Sequence, residues 1–428
     1  MRLTVIHIAA AVSIVLGGLV AATSTSFAQA PKTVVWAVQS GQSKTYEAAV
    51  DRWNKNHPDK PIELQMFAND PYKDKIRLAL GSHQGPALMF SWGGGVLKSY
   101  VDAGYIDPIT DPVITDRDID AVRANVTFNG KVYATGINNI GPAVLLYNKT
   151  VFEKAGVTVP ATWGELLKVI EVFKAKGILP FALAGQTRWP ELPYLAYLTD
   201  RIGGSQVFDA IIANQPDAWS QPAILDALGR IQLLVKSGAF GQSFASVAYE
   251  TGAADALLYT GRAAMMLQLA GSYTNIKNVA PDFVASGALG FAPFPAVDGG
   301  AGDPSDLIGN LCNYWAVTAA TPQANKDVAL AFLKEEVMND QWITEILNRS
   351  AVPGVKAAQA KIAQLGNDPF LTFLLNAAQK SKHFQLSWDQ AVSPAQGVAM
   401  VTNLDRVFLL EIDPQGYAQT MNATLLKP

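Results

Sequence analysis

The spacing of apolar positions changes period repeatedly along the chain, and each change marks an element. TVVWAV (Thr33–Val38) is a β-branched run that predicts a strand. After the polar loop QSGQS, Tyr46, Ala49, Val50 and Trp53 recur at helical spacing and predict a helix over roughly residues 45–56, ending before Pro58. PIELQMF alternates as a strand, YKDKIRLALGS has the helical period up to Gly81, and ALMFSW predicts a buried strand that runs into Gly93, Gly94 and Gly95. The alternation restarts after Gly141. AVLLYN predicts a strand, NKTVFEKAG a short helix stopped by Gly156, and TWGELLKVIEVFKAKG a helix opened by a Thr162/Glu165 capping box and closed by Gly177. ILPFALAG, AAMMLQLAG, LGFAPFP and NYWAV predict further strands. TPQANKDVALAFLKEEVM predicts a helix, and the tail from about Pro369 is mostly helical. Strands alternating with helices at this spacing predict two α/β units, each a mainly parallel sheet covered by helices.

Open α/β sheets bind ligands beyond the carboxyl ends of their strands. That rule directs attention to the loops at residues 39–43, 91–95, 138–141, 186–194 and 271–273. The fourth carries GQTRWPELPYLAYL, which places Arg188, Trp189, Glu191 and Tyr194 within a few residues of one another.

Composition narrows the function. With 428 residues, 49% of them hydrophobic and 16% charged, the chain has ample material for packed cores. The 33 basic and 36 acidic residues include no basic stripe, which argues against a nucleic-acid partner. Arg2, an apolar run from Val5 to Ala22, and small residues at Ser26 and Ala28 predict an export signal in residues 1–28, cleaved after Ala28. An uncleaved membrane anchor is the alternative. Cys312 is the single cysteine, so no internal disulfide forms, and no cysteine stands at the cleavage point to carry a lipid. The expectation is a soluble, periplasmic, monomeric protein.

Catalytic and cofactor motifs are missing. The histidines, His7, His57, His83 and His383, show no metal spacing. HExxH, CxxC, GxSxG and P-loop patterns are absent too, so neither a cofactor nor a metal is expected. A glycosidase acid pair could be drawn from Asp70, Glu191, Asp306 and Asp389.

The segment LLYNKTVFEKAGVTVPATWGELLKVIEVFKAKGILPFAL, with GRAAMMLQLAGSY and PQANKDVALAFLKEEVMNDQ, resembles the extracellular solute-binding proteins that feed sugars to ABC importers. The resemblance implies a two-lobe periplasmic-binding-protein fold with a ligand cleft at the hinge. The lobes would comprise residues 29–139 with 297–347 and residues 140–296 with 348–428. The crossings would fall near 138–142, 294–297 and Asn348. It further implies hinge closure on a mono- or oligosaccharide, delivery to the membrane subunits of an ABC permease, and no catalysis.

A sugar ring offers an apolar C–H face to a flat aromatic and a rim of hydroxyls to carboxylates and amides. The loop at 186–194 supplies such groups in Trp189, Glu191 and Tyr194. By resemblance, Tyr273 and Trp388 are the stacking rings of two opposed walls. Trp92 takes a place where relatives usually offer an acid. Gln39, Ser40, Asn138 and Asn139, and more weakly Asp389 and Asn310, complete the expected site, while Trp36 is expected in the core. The same fold with another solute (a polyamine, a phosphate ester or iron), or an exported carbohydrate-active enzyme, are the rival readings.

Overall fold

In the computed structural model, residues 32–362 and 368–425 are described. The expected signal and its cleavage after Ala28 lie outside them. Among the described residues no helix is long and apolar enough to cross a membrane.

The chain folds into two α/β lobes. In the first, Thr33–Val38 pairs in parallel with Ile62–Phe67 and with Leu88–Ser91, the strands predicted from the opening alternation. Tyr314–Thr318 then joins Leu88–Ser91 antiparallel and carries Ile106–Asp107 and Ala134–Gly136 on its other side. In the second lobe the long strand Asn139–Asn148 pairs antiparallel with Ala263–Leu269, Leu289–Ala292 and Leu307–Asn310. Parallel pairs flank it, Ala263–Leu269 with Leu179–Phe181 and Leu307–Asn310 with Phe384–Leu386. Pairing is therefore mixed in both sheets. The antiparallel members are the strands that cross between lobes or return from a crossing.

Alternation along Asn139–Asn148 separates two cores, because successive side chains leave a strand on opposite faces. Ala143 and Leu145 point into a core with Trp163, Tyr194, Trp219 and Trp388; Val144 and Leu146 point into a smaller one with Met266, Tyr273 and Phe370. The first lobe has a single core containing Trp53, Tyr72, Trp92, Trp315 and Trp342, and Trp36 lies buried in it. Local signals behave as expected where they are strong. Thr162 Oγ1 accepts from the Glu165 amide, and Gly177 closes the Trp163–Ala175 helix with a left-handed backbone. Glu165 reaches back to the Ala161 amide, one residue before the cap.

The passages between lobes converge on Asn138. Its side-chain oxygen accepts from the Asn313 amide at 2.7 Å and from the Cys312 thiol, and its carbonyl accepts from the Gly354 amide. Two passages fall later than the resemblance implied. The second runs through residues 311–313, not 294–297, because residues 297–306 are built into the second lobe. A Cβ on Gly300 or Gly302 would lie 2.0 Å and 1.9 Å from the Arg201 and Asp200 carbonyls. The buried Arg201 guanidinium also donates to the carbonyls of Asp303, Pro304 and Asp306. The resemblance placed the crossing just before this glycine-rich loop, whose close backbone approach to Asp200 and Arg201 has no local sequence signal. The third passage begins after Asn348. Ala351, Val355 and Ala358 still pack in the first core, and the helix Pro369–Lys380 straddles the junction, with Leu371 in the first core and Phe370 and Leu374 in the second lobe.

Candidate functional site

Between the lobes, where the crossings meet, lies a cleft of about 820 Å³. Its first wall is built from the loop after Thr33–Val38 and the end of Leu88–Ser91. Ser40 and Ser43 fold the loop on itself through the Ser43 and Ser40 hydroxyls. Gln42 ties it to the crossing by donating to Asn139 Oδ1 at 3.1 Å while accepting from Arg349 at 2.7 Å. Trp92 stands edge-on to Phe90 and Tyr72, so the rings fix one another, and Lys73 Nζ lies 5.8 Å from the Trp92 ring centre. Four asparagines, Asn138, Asn139, Asn310 and Asn313, form the floor.

The second wall centres on Trp189 and Tyr249, edge to face at 4.7 Å. The turn Gly185–Thr187 sets their positions. Thr187 Oγ1 accepts from the Tyr249 amide at 2.9 Å and donates to Glu250 at 3.0 Å, and Gln186 donates to the Val247 carbonyl. Asp255 and Tyr259 come from the helix Ala253–Tyr259, and Gly271, Thr274, Asn275 and Asn278 form one stripe of the helix Gly271–Val279. Asp389 and Gln390 close the far rim.

Electrostatics in the cleft are dominated by carboxylates. Burial pushes Asp255 up to about 7, opposed by the neighbouring Ser272 and Asn275 side chains. Burial also raises Asp389, with Lys73 pulling the other way.

Seven of the predicted site residues line this cleft: Gln39, Ser40, Trp92, Asn138, Asn139, Trp189 and Asp389, together with the weaker candidate Asn310. Four do not. Glu191 is fully buried behind the second wall, where burial and Asp405 push its carboxyl well above the usual range. Tyr194, one helical turn further on, packs against Phe181, Phe240 and Phe408. Tyr273 stacks on Phe370 at 3.8 Å in the smaller core of the second lobe. Trp388 sits between Phe208 and Trp219 in the larger one, its indole donating to Gln385. The expected sandwich of Tyr273 and Trp388 around a ligand does not exist, because the two rings are sealed in different cores. A one-residue step explains Tyr273. At about 100° per residue its neighbours Thr274 and Asn275 face the cleft and Tyr273 turns away.

Sequence reasoning missed Tyr249, Tyr259, Asp255, Glu250, Glu47, Lys73 and Asn275. For Asn275 a signal existed, since Gly271, Thr274, Asn275 and Asn278 are small or polar at i, i+3, i+4 and i+7. Tyr249 lies in a loop with no period to read.

Fold and site define a class: two α/β lobes joined by crossing strands with a polar, ring-lined cleft at the junction. The model of the bacterial extracellular solute-binding protein family matches residues 37–335, and the chain belongs to that family. It is 25% identical over 272 residues to an uncharacterized ABC transporter extracellular-binding protein of Pyrococcus horikoshii, covering 61% of this chain and 59% of the relative. It is 30% identical over 215 residues to the multiple sugar-binding protein of Streptococcus mutans, covering 48% of each. The alignments thus span only about half the length of such curated relatives. A solved structure from work on xylan utilization by the thermophilic bacterium Caldanaerobius polysaccharolyticus superposes with a TM-score of 0.80 at 26% identity, covering 92% of this chain and all of the other.

Proposed function

We propose that this protein is the exported, periplasmic solute receptor of an ABC importer. It captures a mono- or oligosaccharide between its lobes and presents the closed form to the membrane permease as a monomer, without making or breaking bonds. The observation that carries this reading is the cleft itself, where rings (Trp92, Trp189, Tyr249, Tyr259) alternate with amides and carboxylates from both lobes. Rings cover the C–H face of a sugar, and planar polar groups bond its hydroxyl rim. The cleft volume lies in the upper part of the range for small-molecule sites, roughly 300–1,000 Å³, which favours more than one sugar ring. One stacked ring and a few hydrogen bonds to charged groups, each worth about 1.5–3 kcal/mol, suffice for micromolar binding, about 8 kcal/mol, once ordering costs are subtracted. The names of the relatives, a multiple sugar-binding protein and a protein of xylan utilization, support the same solute class.

Tryptophan fluorescence titrated with a panel of mono- and oligosaccharides tests the proposal. Trp92 and Trp189 lie on opposite walls, so a saturable quench or blue shift at micromolar sugar is expected. A folded protein that answers to no member of the panel would count against it, and cleavage of a bound oligosaccharide would point to the enzyme reading instead.

A further inference from the structure

The charge balance of the cleft differs from that of the chain. Over the whole sequence acids and bases nearly cancel, 36 against 33. In the cleft Glu47, Glu250, Asp255 and Asp389 face a single Lys73, and Lys73 is already held by Asp70 at 3.3 Å. None of the four cleft carboxylates forms an ion pair with a described residue.

Two of the carboxylates, Glu250 and Asp255, line the same wall of the cleft as Tyr249. Thr187 Oγ1 accepts from the Tyr249 amide and donates to the Glu250 carboxylate, which holds Glu250 beside Tyr249, and burial first, then Asp255 and Glu250, push the Tyr249 phenol upward. An ammonium group brings three donors, no acceptor and a positive charge, and it is attracted by an aromatic face as well as by a carboxylate. A hydroxyl bonds the same carboxylates with one donor and without the charge that an ammonium adds.

Resting on the saccharide reading above, we propose that the preferred ligand is an amino sugar with at least one unacetylated amine, its ammonium seated between Glu250, Asp255 and the ring of Tyr249.

Calorimetric titration of the full chain with a β-1,4-linked glucosamine trimer, its N-acetylated counterpart, the neutral glucose trimer of the same linkage and spermidine tests this. The amine-bearing trimer is expected to bind at least about tenfold tighter than either neutral trimer, the gap between a charged and a neutral hydrogen bond. The preference should shrink between about 0.01 M and 1 M salt, where the Debye length falls from about 30 Å to 3 Å. In the double variant Glu250→Gln, Asp255→Asn the affinity ratio should fall towards one. If that variant fails to fold, the ratio and its salt dependence in the unmodified protein decide. Equal or tighter binding of a neutral trimer overturns this inference and leaves the saccharide reading standing. Binding of spermidine with no saccharide response, or no binding at all, overturns both.

Discussion

Trp189 and Trp388 were both candidate ligand rings in the sequence, and the fold gives them opposite duties. Trp189 is half-buried on the cleft wall, whereas Trp388 is fully buried between Phe208 and Trp219. Trp189→Ala should weaken saccharide binding by about 1–2 kcal/mol, roughly five- to thirtyfold, as measured by calorimetry. Trp388→Ala should instead cost about 3–5 kcal/mol of stability in urea unfolding and leave the affinity of the folded fraction unchanged. Glu191 supplies a pH signature. Its carboxyl and that of Asp255 hold protons in the folded state that the unfolded chain would release, so folding stability falls as pH rises. For Asp255 that window runs from about 4 to about 7, and each such proton contributes a slope of about 1.4 kcal/mol per pH unit. Glu191→Gln should therefore raise the melting temperature at neutral pH and flatten its decline between acid and neutral pH. A steeper decline in the variant would refute the assignment.

At the scale of elements, the glycines after Leu88–Ser91 matter most. A Cβ on Gly95 would lie 2.5 Å from the carbonyl oxygens of both Ala391 and Val392, across the gap between lobes. Because this clash is between lobes and not within one, Gly95→Ala should keep the fold but hold the lobes apart. Saccharide affinity should drop about tenfold with little change in the unfolding midpoint of the ligand-free protein. Gly302→Ala, whose clash with the Asp200 carbonyl lies inside the second lobe, should do the reverse. These pairs also show what the sequence could reveal. The strands, the capped helix from Trp163 and the polar loop after Thr33–Val38 were legible because periodicity and capping act locally. The second crossing was not, since the role of Gly300 and Gly302 depends on Arg201, about a hundred residues away. Within the site, polar loop residues such as Gln39 and Asn139 were found. Of the rings proposed for the site only Trp92 and Trp189 line the cleft, because the direction of an aromatic side chain is decided by packing partners remote in sequence.

In the whole molecule, the Asn138 junction gathers the crossings at one point and leaves the two walls on separate bodies, the arrangement from which hinge closure arises. A ligand that binds only the folded protein stabilises it by mass action, so saccharide at about 100 times its Kd should add about 2.7 kcal/mol and raise the melting temperature. Thermal stability alone would not show that both lobes hold the sugar. Hydrogen exchange with and without saturating saccharide does so directly. The account predicts simultaneous protection of residues 39–45 in the first lobe and of residues 247–256 and 271–279 in the second. Protection confined to one lobe, or absent from both walls while sugar is bound, would contradict it.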